Sequence, residues 1–303
     1  MWKSIANQLF RPAWILIIIP FITLSSCRDL VQDEFPDITP VPTINSFLIP
    51  DSIFKVHVSL SDELDSVPLG LIDNAEVQLF KDGAFEEILT PEGKGWYSAS
   101  QLVKYGSRYQ CKVKIEGFEE LSCSDSLPVP SDILNIEHII NAGKNEEGLS
   151  YPAVKVTFSN KPNEKRYYEL IIRIDYHGWW HKADMFDITD PVLLSEGLPL
   201  SVFSNENIDG DNYTMLLNYS TGSSSSRDGG IHKMDLFPFA VELRSISYNY
   251  YLYLRQLYLY EIGRYPDFTD GYTGTFPLHS NITNGYGIFA GYSTTISDII
   301  NPE

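Results

Sequence analysis

Basic side chains are the first shortage in this 303-residue chain: 22 Lys and Arg face 40 Asp and Glu. A nucleic-acid partner is thereby excluded, because phosphate binding needs a basic surface. Cysteine is scarcer still, with three in all, too few for a disulfide framework. The one long uncharged apolar run, residues 12–24, falls short of the roughly 20 residues that a membrane span needs. No phosphate-binding loop and no Gly-x-Ser-x-Gly nucleophile elbow occur. Gly285, Gly287 and Gly291 lack the strand–turn–helix context of a dinucleotide fingerprint. No carboxylate pair for glycosidase work stands out among the 40 acids. With no catalytic constellation, the chain is expected not to be an enzyme and to need no cofactor.

The N-terminus is informative. Lys3 and Arg11 precede the run of residues 12–24, which ends in Leu24-Ser25-Ser26-Cys27. A basic flank followed by a short apolar segment and small residues reads as a secretory signal over residues 1–26. The last four residues resemble the lipobox of bacterial lipoproteins, in which the cysteine is acylated and the chain is cut before it. Cys27 is therefore the expected lipidation site, and several acyl chains on one residue anchor a protein stably. The alternative is an uncleaved anchor with Cys27 incidental. Arg28, not Asp, follows Cys27, which favours the outer membrane, facing either the periplasm or the outside. Asp29, Asp33, Glu34 and Asp37 resemble a surface-export stretch and serve equally well as a solvated tether. Loss of residues 1–26 removes Lys3 and Arg11 and no acid, so 20 basic side chains remain against 40 acidic ones, a formal charge of −20.

What remains is rich in material for a core: 43% hydrophobic and 13% aromatic residues, the latter favouring strands. Residues 27–42 form an acidic, Pro-containing tether. Residues 43–130 read as an N-terminal β-sandwich: Phe54, Val56, Val58 and Leu60 alternate with polar residues, and Asp82-Gly83 marks a hairpin. A hairpin centred on Gly117 sets Cys111 opposite Cys123, and outside the cytoplasm a disulfide is expected there. Pro128 and Pro130 mark a boundary. Residues 131–303 read as a second β-rich domain, with strands at 152–159 and 167–176. One helix is expected near residues 245–262, capped by Ser245 or Ser247 and stopped by Gly263. The fold class is mainly β: two β-sandwich-like domains of immunoglobulin or fibronectin type, the second with one packed helix.

Three local patterns invite chemistry. Asn205, Asn207, Asp209 and Gly210 match the first half of a calcium loop, but Leu216 stands where a bidentate Glu is required. A polar turn explains them better. His177 and His181 are four apart, yet Gly178 argues against a helix and no third ligand is in sight, so no metal site is expected. Trp179-Trp180 is the candidate ligand-binding pair, suited to stacking on sugar rings or a partner protein; the competing reading buries them in the core.

The whole pattern resembles the DUF4249 family of envelope lipoproteins. The matching pieces are Cys27; residues 74–79 followed by Asp82-Gly83; Gly95-Trp96-Tyr97; residues 105–109; and residues 124–128. Residues 245–248 leading into Tyr250-Tyr251, residues 280–282 and residues 285–289 continue it. The resemblance implies an envelope lipoprotein, a companion of TonB-dependent outer-membrane transporters. The expected function is a non-enzymatic accessory or binding component of such an uptake system. Two alternatives stay open: a glycan-binding module centred on Trp179 and Trp180, and a hydrolase whose acids converge only in three dimensions.

Overall fold

In the first half of the body, the alternation read from the sequence becomes strands with one dry face. The computed structural model describes residues 39–61, 70–146, 148–227, 231–264 and 276–302. The signal segment, Cys27 and the tether up to residue 38 lie outside the described residues. β1 (Pro42–Leu48) and β2 (Ile53–Leu60) bury Ile44, Leu48, Phe54, Val56 and Val58 and turn their intervening residues outward or to the rim. The short strands β3 (Glu76–Lys81), β4 (Ala84–Ile88), β5 (Thr90–Gly93) and β6 (Trp96–Leu102) follow, with Asp82-Gly83 turning β3 into β4. β7 (Arg108–Lys114) and β8 (Leu121–Ser126) close the half. β1, β2, β6 and β5 pair in one sheet and β4, β3, β7 and β8 in another. One core, including Val56, Tyr97, Val77 and Val113, lies between them. Each such side chain contributes about 1.5–3 kcal/mol by leaving water.

The β7–β8 hairpin sets Cys111 directly opposite Cys123, as its spacing predicts. The disulfide expected there is not formed: both cysteines are free and buried. Cys123 Sγ instead donates to the Cys111 carbonyl oxygen at 3.8 Å. Facing residues on neighbouring strands hold their Cβ–S bonds side by side, whereas a disulfide needs a torsion of roughly 90° across the two sulfurs. Burial pushes the Cys123 thiol well above its ordinary range, reinforced by Cys111 beside it, so it stays a protonated core residue.

The second half follows as β9 (Ile133–Lys144), β10 (Ser150–Ser159), β11 (Tyr167–Tyr176), β12 (Trp179–Lys182) and β13 (Asp184–Met185). Next comes a short helix, α1 (Pro191–Glu196), opened by Asp190, whose side chain accepts from Val192 N, and closed by left-handed Gly197. Asp-Pro at the start and Gly at the end are helix punctuation, a signal that strand periodicity alone passes over. β14 (Val202–Ser204), β15 (Asn212–Ser220), β16 (Ser224–Arg227), β17 (Ile231–Met234) and β18 (Phe239–Ile246) precede α2 (Tyr248–Arg264), and β19 (Tyr286–Ile296) ends the body. β15, β10 and β9 lie over β11 and β18, and Val154, Phe158, Leu170, Ile172, Met215 and Val241 fill a second core.

β19 joins the halves. Its first part pairs in parallel with β1 and its last part antiparallel with β18, so a single nine-stranded sheet runs through both. Odd-numbered residues of β19 face both cores: Phe289 sits in the first, and Thr295 lies opposite Leu243 of the second. Even-numbered Ile288 and Ala290 face the other way, onto a small third core with Ile246, Val202 and Tyr250. α2 covers that face. The parallel β1–β19 pairing needs Gly287, whose φ is +116° and where an added Cβ would stand 1.9 Å from the Ile44 carbonyl oxygen. The glycines that fail as a nucleotide fingerprint are thus places of close backbone approach. Among the described residues no helix is long and apolar enough to cross a membrane.

Candidate functional site

Two places on the body gather groups suited to contact. The first is the β11–β12 hairpin. Tyr176 pairs with Trp179 across a two-residue turn in which His177 (φ +53°) and Gly178 (φ +91°) are both left-handed. That is the turn matched to strand twist, and Asp175 braces it by accepting from Gly178 N at 2.6 Å. β12 is an edge strand, and its indoles are open to solvent: Trp179 is 79% exposed and Trp180 43%. The burial reading of the pair therefore gives way. Successive strand residues point to opposite faces, so Trp179 shares a face with its partner Tyr176, and Trp180 with Asp175. One coplanar stacking platform is not available to the two indoles. The hairpin is instead aromatic on both sides, with Tyr176 also packed edge-on against Phe237 at 5.0 Å.

His177 and His181 flank the same hairpin, at 4.7 and 6.5 Å from the Tyr176 ring. No cluster of three His, Cys, Asp or Glu able to hold a metal occurs among the described residues. The calcium-like segment also has another task. Asn205 donates to Asn160 Oδ1 and to the Lys161 and Glu164 carbonyls while accepting from Arg166 N, so it braces a buried turn. Ile208 of the same segment is buried.

Glu169 and Glu242, on the neighbouring strands β11 and β18, share Arg244, and ion pairs occupy both. Glu169 binds Lys182 Nζ (3.0 Å) and Arg244 Nη1 (3.1 Å); Glu242 binds Arg244 Nε (2.6 Å) and Arg173 Nε (2.5 Å). Burial opposes the charge on Arg244, yet Glu169 and Glu242 outweigh it and hold its pKa above the ordinary value. Among the described residues, His138 Nε2 hydrogen-bonds with Tyr219 Oη and His279 Nε2 with Asn249 Oδ1.

The second place is the junction of the halves. Residues 127–131 cross over β19 at Gly291, where an added Cβ would lie 2.7 Å from the Ser126 carbonyl oxygen. The crossing is tied at both ends: Leu127 exchanges backbone hydrogen bonds with Gly106 and Ser107, and Ser131 N donates to Ser245 Oγ at 3.1 Å. Beneath it lies Asp125, which accepts from Ser247 Oγ (2.5 Å) and Ser126 N (2.8 Å), with Asn249 and the Gly291 backbone adding further bonds. Ser247 is the cap of α2: its Oγ accepts from Tyr250 N and its carbonyl from Tyr251 N. Burial raises the Asp125 pKa to about 6, against those hydrogen bonds. A cavity of about 410 Å³ opens above this floor. Three of the short segments behind the family resemblance, residues 105–109, 124–128 and 245–248, supply much of its lining. The sequence assigns those segments no site, because residues 245–248 lie more than a hundred positions from the other two and none of the three is chemically diagnostic.

A family model described as "Domain of unknown function (DUF4249)" matches residues 28–297. No curated protein matches the chain.

Proposed function

We propose, from the premise that this chain belongs to the DUF4249 family, that it is exported, lipidated at Cys27 and held at the outer membrane as a non-enzymatic binding component of a TonB-dependent uptake system. The observation that carries the binding role is the β11–β12 hairpin, an edge ribbon with exposed indoles on both faces. Large apolar side chains left in water at a strand edge mark contact surfaces. Indoles on opposite faces suit a groove in a protein partner better than one flat sugar ring. The lipobox, Leu24-Ser25-Ser26-Cys27, supports the anchor. The transporter is the partner that the family resemblance implies. Reading each half as an immunoglobulin- or fibronectin-type sandwich is part of the same proposal, supported by the two facing sheets around each main core.

The test has two arms. A clickable fatty acid fed to cells labels the wild-type protein and not Cys27→Ala; equal labelling of both removes the anchor. Detergent extracts of native membranes yield a TonB-dependent transporter with the wild-type protein, and the double variant Trp179→Ala/Trp180→Ala loses it. Undiminished recovery with that variant rejects the hairpin as the contact.

A further inference from the structure

We propose that the junction cavity is a binding site for a neutral, ring-shaped polyhydroxyl ligand, a monosaccharide or the end of an oligosaccharide. The site lies in the β8–β19–α2 region and owes nothing to the tryptophan hairpin. Its volume, about 410 Å³, falls in the range of roughly 300–1,000 Å³ typical of small-molecule pockets. Its position between two sheet halves is where such pockets tend to form.

The lining selects the ligand class. One wall is aromatic: Tyr248 is 52% exposed at the mouth, and its ring lies 5.1 Å from Tyr167. Aromatic faces of this kind take the C–H face of a sugar ring; the Tyr167 phenol oxygen is itself hydrogen-bonded by Lys165, which holds its ring in place. The floor is polar and nearly buried, made by Asp125, Ser245 and Ser247. The hydrogen bonds that tie it hold these groups in place before any ligand arrives, which lowers the ordering cost of binding.

Charge decides between a sugar and an anion. Lys165 and Arg166 border the cavity and at first sight suit a carboxylate or phosphate. Both cations are already engaged, Lys165 with Glu206 and Arg166 with Glu164 (2.7 Å), the Val129 carbonyl and Ser131 Oγ. Asp125 adds a further acid to the floor. An anion would have to displace internal carboxylates and approach Asp125, whereas a neutral hydroxyl group meets no such repulsion and can bond to Ser245 Oγ, which is engaged only by Ser131 N among the described residues.

The experiment is saturation-transfer NMR on the purified full-length lipoprotein, in a detergent without a sugar headgroup. The probes are glucose, galactose, mannose and N-acetylglucosamine at millimolar concentration, with two anions: acetate, and inorganic phosphate read by phosphorus-31 line broadening because it carries no carbon-bound proton. At least one sugar is expected to bind, Tyr248→Ala to weaken it about tenfold or more through loss of the stacking face, and Tyr248→Phe to keep most of it. Trp179→Ala leaves this binding unchanged, so the outcome is independent of the hairpin's role. Absence of binding by all four sugars, binding by the anions alone, or full affinity in Tyr248→Ala overturns the proposal.

Discussion

At the scale of single residues, Asp125 is the most consequential group. Its carboxyl is buried under the crossing segment and linked to the cap of α2, and burial raises its pKa from 3.8 to about 6. The folded-state value lies above that of an exposed carboxylate, so between about pH 4 and 6 the folded protein holds a proton that the unfolded chain has released. Stability therefore declines as the pH rises through that window and stays lower above it. Asp125→Asn keeps a neutral acceptor for Ser247 and removes this decline. Urea melts at pH 4.5 and 7.5 should show the variant gaining on the wild type by about 2 kcal/mol between the two; an unchanged difference places the buried proton elsewhere. Gly287 is the opposite case, a position where one methyl group has no room. Gly287→Ala sets a Cβ against the Ile44 carbonyl and imposes a strained φ. It is expected to cost about 3 kcal/mol or more by thermal or denaturant unfolding.

At the scale of elements, most strands were legible because burial on one face writes a period of two into the sequence. Phe54, Val56 and Val58 of β2 and Val154, Val156 and Phe158 of β10 show it without ambiguity. α2 was legible too, through its serine cap, although the helix runs to Arg264 and passes Gly263. α1 was not, since six residues carry no measurable periodicity. The disulfide failed for a different reason: residue spacing encodes register but not the torsion between facing thiols. The junction cavity was illegible because its residues meet only through the β19 pairing. α2 itself hangs on few groups. Glu196, at the end of α1, accepts from Tyr251 Oη (2.5 Å) and Arg255 Nη1 (2.9 Å), and its carbonyl accepts from Arg255 Nη2. Glu196→Ala strands a mostly buried guanidinium and a phenol, at a cost of about 2–4 kcal/mol. Hydrogen exchange should then accelerate in α2 before it does so in β10 or β11; uniform acceleration means the helix is not held there. The hairpin should respond differently. Trp179 is so exposed that Trp179→Ala changes the melting temperature little, within the range of about 0.5 kcal/mol typical of surface sites.

At the scale of the whole molecule, β19 sets both geometry and cooperativity. β1, β19 and β11 all run in the same direction, because β18 is antiparallel to both β19 and β11. The chain enters the body at the start of β1, level with Tyr286. From there the register advances ten residues along β19 to Ile296, which lies level with Ile171, and five more along β11 to Tyr176. At about 3.3 Å per residue the tryptophan hairpin stands roughly 50 Å along the strands from that point. The same strand makes the halves interdependent: six of its residues pair with β1 and five with β18. Unfolding either half strips β19 of one partner and exposes Phe289 or the strand edge beside Leu243. Loss of those pairings and of the tied crossing segment leaves neither half with a complete sheet. The two main cores are therefore expected to melt in a single calorimetric transition, with van't Hoff and calorimetric enthalpies in agreement. Gly287→Ala, though it touches only the β1 side, should lower that one transition without splitting it. Two resolved transitions in either protein mean that the halves fold as independent domains and that β19 is a bridge without energetic weight.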